Sequence, residues 1–218
     1  MFTAVIAALG GLLFGYDTGI IASALLFIRD DFDLSSFQQG MVVSAVPVGA
    51  IFGAALSGQL ADRYGRRRMI MLAALLFVVG SVISALAPGA TVLILARVAI
   101  GFAIGLASAA CPVYISEVAP ANVRGRLVTL FQLAVTVGIL VAYGVGLALE
   151  PSGSWEWMLA LGALPAILLG VGIAAMPQSP RWLVMIGDSV RARHELLKLR
   201  PDVDGVDDEL REIERTLS

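Results

Sequence analysis

The chain has 218 residues, of which 58% are hydrophobic and only 15% charged, with a net charge of -2 and a mean hydropathy of +0.88. A soluble domain carries roughly a quarter charged residues, so the composition excludes an ordinary water-soluble fold. One cysteine, Cys111, and one histidine, His194, exclude a disulfide framework and a multi-cysteine metal centre, and no metal site or organic cofactor is expected.

Six apolar runs are long enough to cross a bilayer, which takes about 20 residues as helix: residues 2–28, 39–60, 69–87, 92–118, 127–149 and 157–176. Backbone groups in lipid must bond internally, so these runs predict helices, and the alternating pattern of a membrane barrel is absent. The first run is not a cleavable leader, because no Lys or Arg precedes Arg29 and Asp17 interrupts it. Gly11, Gly15 and Gly19 recur every fourth residue, as do Gly49 and Gly53, and Gly101 and Gly105; small residues on one face let helices approach closely. Pro47, Pro112 and Pro165 fall within spans, where they are expected to kink or loosen the helix.

The second and third runs are joined by Gly58-Gln59-Leu60-Ala61-Asp62-Arg63-Tyr64-Gly65-Arg66-Arg67-Arg68, read as a short loop. Connections so rich in arginine stay in the cytoplasm. With a cytoplasmic N-terminus, the inner connections hold this cluster with Arg124 and Arg126, and the inner tail holds Arg181, Arg191, Arg193, Lys198, Arg200, Arg211 and Arg215. The outer connections hold Arg29 beside Asp30, Asp31 and Asp33. This asymmetry predicts a multi-pass protein of the plasma or inner membrane with both termini cytoplasmic.

Two charges fall inside the spans: Asp17 near the middle of the first, and Arg97 about two turns inside the outer end of the fourth. A charge at a helix centre costs about 2.5–3.5 kcal/mol, so each needs a partner, water or a function. The first span runs outward and the fourth inward, so the two can meet at one depth. Burial alone favours a neutral carboxyl, whereas a nearby guanidinium favours the carboxylate. An aspartate between those pulls can change protonation when its partner moves. A fixed structural ion pair is the other reading.

Gly10-Gly11-Leu12-Leu13-Phe14-Gly15-Tyr16-Asp17-Thr18-Gly19 resembles the first helix of sugar porters of the major facilitator superfamily. The spelling Gly58, Asp62-Arg63, Gly65, Arg66-Arg67 resembles that superfamily's connection between helices 2 and 3. Glu117, Pro120, Arg124 and Gly125 are similar to its helix 4–5 loop, and Pro177-Gln178-Ser179-Pro180-Arg181-Trp182-Leu183 to its signature after helix 6. The likeness is greatest to bacterial proton–sugar symporters. It implies an all-α membrane fold: a six-helix bundle, the N-terminal half of a major facilitator fold built as a 3+3 inverted repeat, with cytoplasmic helices after it. Two regions are expected, a bundle over 1–180 and an incomplete helical linker segment over 181–218.

The resemblance also implies roles. Asp17 is the proton-coupling site and Arg97 its partner, with the proton as the coupling ion. Gln132 hydrogen-bonds a sugar hydroxyl and Phe14 lies along the sugar's apolar face; an interhelical hydrogen bond is the alternative for Gln132, and lipid or core packing for Phe14. Ile139, where some members have glutamine, removes a sugar contact and leaves the sugar unnamed. Gly58, Asp62, Arg63, Gly65, Arg66, Arg67, Glu117, Arg124 and Arg181 resemble a cytoplasmic gating network; solvated surface pairs, worth about 0–1 kcal/mol each, are the alternative. Gln178 stands where the family has Glu, which weakens one branch.

In the tail, Ser189 is expected to cap a short helix ending near Arg200, stopped by Pro201. Val206, Leu210, Ile213 and Leu217 then form one apolar stripe at helical spacing, which needs a partner surface. Sugar porters have about twelve spans in two halves, so the expected partners are a monosaccharide, the proton, the lipid bilayer and a missing C-terminal six-helix half, with no nucleic acid. The expectation is secondary active transport by alternating access. A membrane sugar sensor without transport, and a half-size carrier working as a dimer, are the alternatives. An enzyme is not expected, since no zinc-type His pair, Walker loop or nucleophile–histidine set is present.

Overall fold

The computed structural model describes residues 2–119, 123–199 and 203–217, with their side chains except those of residues 2–5, 7, 124, 203, 204 and 217. Pro120, Arg200 and Pro201 therefore lie outside the described residues, as do the side chains of Arg124 and Leu217. Five long helices come first: α1 (Phe2–Asp31), α2 (Ser36–Tyr64), α3 (Arg66–Ala85), α4 (Ala90–Val118) and α5 (Arg124–Leu149). After a 3-10 turn at Glu150–Ser152 come α6 (Trp155–Ala160), α7 (Ala163–Ala174), α8 (Pro180–Met185), α9 (Ser189–Leu199) and α10 (Val203–Leu217). Among the described residues, six helical stretches are long and apolar enough to span a membrane, the sixth being α6 and α7 together. The protein is a multi-pass membrane protein with an all-α bundle.

The sixth span departs further from a continuous helix than the kink or loosening expected at Pro165. It breaks at Leu161–Gly162, one turn before Pro165, which has no N–H to offer the Leu161 carbonyl. That carbonyl instead accepts from Leu164 N at 3.1 Å, a tighter turn. α2 and α4 continue as helix through Pro47 and Pro112.

The connection between α2 and α3 is a correction too. It is helical up to Tyr64 and again from Arg66. Only Gly65 interrupts it, at φ 91°, a left-handed value that favours glycine. At the other face, Ser35 caps α2: its hydroxyl accepts from Gln38 N, and the Gln38 side chain accepts from Ser35 N at 3.0 Å. This capping box places the start of α2 ahead of the expected residue 39.

The helices pair by close approach of small residues. Gly11 and Gly15 lie against the α5 backbone at Phe131 and Val135, and Gly138 of α5 lies against Leu12 and Tyr16. In the second pair, Gly101 and Gly105 of α4 lie against Val46 and Ala50 of α2, and Gly49 and Gly53 of α2 against Val98 and Phe102. A Cβ at Gly15 or Gly105 would sit inside the facing carbonyl, so backbone contact supplies van der Waals attraction where no hydrophobic drive exists. Exchanging the first three spans for the second three maps the α1–α5 pair onto the α4–α2 pair, as a 3+3 repeat requires.

Six crossings bring both ends of the bundle to one side, which carries Arg63, Arg66, Arg67 and Arg68. α8, α9 and α10 lie on that side. Trp182, Leu183 and Ala192 form a small core against which Leu210 packs, and Val206 is fully buried. At Leu210 the α10 stripe therefore has its partner in α8 and α9. Asp188, rather than Ser189, caps α9, accepting from Arg191 N at 3.1 Å. The Ser189 hydroxyl instead donates to Glu214 of α10 at 2.8 Å.

Candidate transport site and arginine-side latch

α1 is almost engulfed by its neighbours. Only the stripe Phe14, Thr18, Ala22 and Leu26 is exposed along its middle. One position before Thr18 the chain turns Asp17 inward, where it is 4% exposed. Arg97, 1% exposed, comes from α4, and its Nη2 stands 3.4 Å from Asp17 Oδ2. The structure thus brings the two intramembrane charges together, as their depths allowed.

The guanidinium has a second anchor that the sequence reading missed. Arg97 Nε donates to the Val42 carbonyl of α2 at 3.0 Å. Pro47 frees the neighbouring Val43 carbonyl, four residues before it, but not that of Val42, so no side chain signalled this acceptor. Arg97 therefore ties α1, α2 and α4 at one point. Its Nη1 is buried without a hydrogen-bond partner among the described residues, and 3.4 Å is long beside the about 2.7–2.9 Å of a tight charge-assisted bond. The pair is engaged but not saturated, an arrangement suited to changing partners. Beside it, Tyr16 OH donates to the Met158 carbonyl at 2.8 Å, fixing α1 to α6.

Phe14 is 37% exposed and belongs to the open stripe of α1. Gln132 is exposed on α5. Their depths are linked by the glycine contacts: Gly11 meets Phe131 and Ala134, and Gly15 meets Val135 and Ile139. Phe14 and Gln132 therefore lie at one level of the bundle, about a turn from Asp17. Ile139 is half-buried, its backbone against Gly15 and Gly19. Thr18, which the sequence reading did not single out, shares the open stripe; its hydroxyl donates to the Phe14 carbonyl at 2.9 Å.

On the arginine-bearing side, part of the expected network is in contact. Arg66 lies 3.0 Å from Asp62 and 3.3 Å from Glu117, which is itself nearly buried. Ser179 donates to the other Glu117 oxygen and also caps α8 by accepting from Trp182 N at 3.2 Å. Trp182 Nε1 donates to the Asp62 carbonyl at 2.8 Å, and its ring lies flat on Gly65, where a Cβ would come within 3.2 Å. A chain of contacts thus runs from α2 through α3 and α4 to α8. Ser179 and Trp182 were not singled out for it, although Ser-Pro ahead of an apolar turn is a readable helix start.

The remaining members stand elsewhere. Arg67 pairs with no carboxylate among the described residues; it donates to the Ile173 carbonyl at 3.1 Å and to that of Ala174, capping the C-terminus of α7, where a cation is favoured. Arg63 is exposed, its guanidinium 5.5 Å from the Tyr64 ring centroid. Arg181 is exposed and lines a small cleft with Ser116, Glu117, Glu209 and Ile213. Gly58 faces open space. Gln178 is buried, and its Oε1 has no hydrogen-bond partner among the described residues.

A 3+3 helical bundle with a charged pair at mid-depth and an arginine-bearing contact network at one face defines half of a major facilitator transporter. The chain belongs to the sugar transporter family: the model described as "Sugar (and other) transporter" matches residues 3–218. Among similar proteins, the putative metabolite transport protein YwtG of Bacillus subtilis is 47% identical over 206 residues, covering 94% of this chain and 45% of its own length. The galactose-proton symporter of Escherichia coli is 46% identical over 216 residues, covering 99% of this chain and 47% of its own. Among solved structures, the proton:xylose symporter XylE, known from E. coli, superposes with a TM-score of 0.92 at 32% identity, over 99% of this chain and 52% of that one. The chain spans about half the length of the curated relatives it matches.

Proposed function

We propose that the chain forms one half of a proton-coupled monosaccharide carrier of the plasma or inner membrane, with both of its ends in the cytoplasm. The facing half is a second six-helix bundle, and the sugar binds between the two. The observation that carries this reading is the buried Asp17–Arg97 pair, 3.4 Å apart, one turn from the exposed Phe14 and Gln132. The ring and the amide supply an apolar face and hydrogen bonds, the chemistry a sugar needs. Protonation of Asp17 releases Arg97 toward other acceptors, and this exchange couples the proton to rocking of the halves about the midplane. The contacts among Asp62, Arg66, Glu117, Ser179 and Trp182 hold the arginine side closed, with Arg181, Arg63, Arg67, Arg124 and the two glycines Gly58 and Gly65 at its margins. The named activities of the relatives, galactose-proton and proton:xylose symport, support the substrate class.

The test is uptake of a labelled monosaccharide panel into proteoliposomes under an imposed proton gradient, with the chain alone and with a second six-helix half supplied. The reading expects gradient-driven accumulation of at least one sugar only when both halves are present. Vigorous accumulation by the chain alone would instead favour a half-size carrier acting as a dimer, and binding without flux would favour a sensor.

A further inference from the structure

Between α3 and α7 the surface is cut by an open groove of about 460 Å³. Leu72, Leu75 and Val78 of α3 form one wall, and Ala166, Gly170 and Val171 of α7 the floor and the other wall. The groove is deep there because α7 carries small residues: a Cβ at Gly170 would meet only the Ala74 methyl, at 3.5 Å. Both helices lie within membrane-spanning stretches, so the medium outside the groove is hydrocarbon. From Met71 to Val78 it runs about 10 Å along the helix axis, most of one leaflet of a hydrocarbon core about 30 Å thick.

The end of the groove on the arginine-bearing side is charged. Arg68 precedes Leu72 by four residues and Leu75 by seven, so it continues the α3 wall toward the membrane surface. It is exposed and has no ion pair or hydrogen bond among the described residues. Arg67 spans the same end of the groove, held on the Ile173 and Ala174 carbonyls of α7. An apolar groove roomy enough for an acyl chain, opening onto an exposed guanidinium at interface depth, matches one molecule of the membrane itself.

We propose that this groove binds an anionic glycerophospholipid from the leaflet on the arginine side. One acyl chain lies between α3 and α7, and the phosphate sits on Arg68. The site is on the opposite flank of α3 from Asp62 and Glu117 contacts to Arg66, and it does not depend on what the chain transports.

The test is native mass spectrometry of the full chain released from mixed micelles holding equimolar phosphatidylglycerol and phosphatidylcholine. Retained phosphatidylglycerol is expected to exceed phosphatidylcholine about fivefold, the selectivity one interfacial arginine confers. Arg68→Gln removes the selectivity, whereas Arg126→Gln, an exposed arginine at the start of α5, leaves it intact. Gly170→Leu, or Leu75→Trp if the first variant is unstable, fills the groove and lowers retention of both lipids. Equal retention of the two lipids by the unaltered chain, equal losses from Arg68→Gln and Arg126→Gln, or a dimer that dissociates when the groove is filled would each overturn the proposal.

Discussion

Asp17 and Arg97 are 80 positions apart in the chain and 3.4 Å apart in the fold, each almost wholly enclosed. Removing one partner of such a pair strands the other in a medium that cannot solvate it. Arg97→Met is therefore expected to destabilise the bundle by about 3–5 kcal/mol. Adding Asp17→Asn to that variant should recover part of the loss, because the stranded carboxyl is gone. Thermal unfolding in detergent of the two single variants and the double variant measures the coupling.

The glycines that resemble one another in sequence differ in what they touch. Gly105 lies against the Ala50 carbonyl, while Gly58 faces open space. Gly105→Ala should cost about 1–3 kcal/mol through overpacking, and Gly58→Ala, inside α2 with open space at its Cβ, should carry no loss and gain up to about 1 kcal/mol. A melting comparison of the two variants checks the contrast; equal losses would contradict the packing described.

Ser179 holds two bonds at once, one to Glu117 and one to Trp182 N. Ser179→Ala removes the cap of α8 and leaves one oxygen of a nearly buried glutamate unserved. The cap alone is worth about 1 kcal/mol. Limited proteolysis should cut between α7 and α9 faster in this variant, with the transmembrane bundle left intact.

Outside the membrane, the hydrogen bonds and charge of Arg193 hold the Asp207 carboxyl below the usual carboxylate range. A depressed folded value means the contact contributes fully above the unfolded value of 3.8 and is lost as the pH falls through the lower folded value. Docking of α10 on α9 should thus be flat between neutral and mildly acid pH, and should loosen only in strong acid. Amide exchange in α10 followed down the pH scale tests this, and Asp207→Asn should remove the acid step.

Much of the bundle was legible because lipid leaves the backbone few options. Apolar length predicted the spans, and depth along them allowed Asp17 and Arg97 to meet. What escaped was set by single backbone groups. The start of α2 follows from the Ser35–Gln38 box, and at Pro165, where a kink or loosening was expected, one missing N–H carries the disruption to an outright break at Leu161–Gly162. The partner of Arg67 is a pair of carbonyls at the end of α7, and the second partner of Arg97 is the Val42 carbonyl. Carbonyl acceptors carry no signature in side-chain identity, so a charge-matching reading assigns such arginines to carboxylates. Ser179 and Trp182 were readable as a helix start but not as a bridge, since the bridge needs α8 folded back beneath α3 and α4.

The most direct measurement is the pH change outside lightly buffered proteoliposomes when sugar is added to the carrier with both halves present. The account predicts alkalinisation of the medium as protons enter with the sugar. With Asp17→Asn the alkalinisation should vanish while counterflow of labelled sugar continues. Persistent sugar-driven alkalinisation in the Asp17→Asn variant would contradict the assignment of the proton to Asp17.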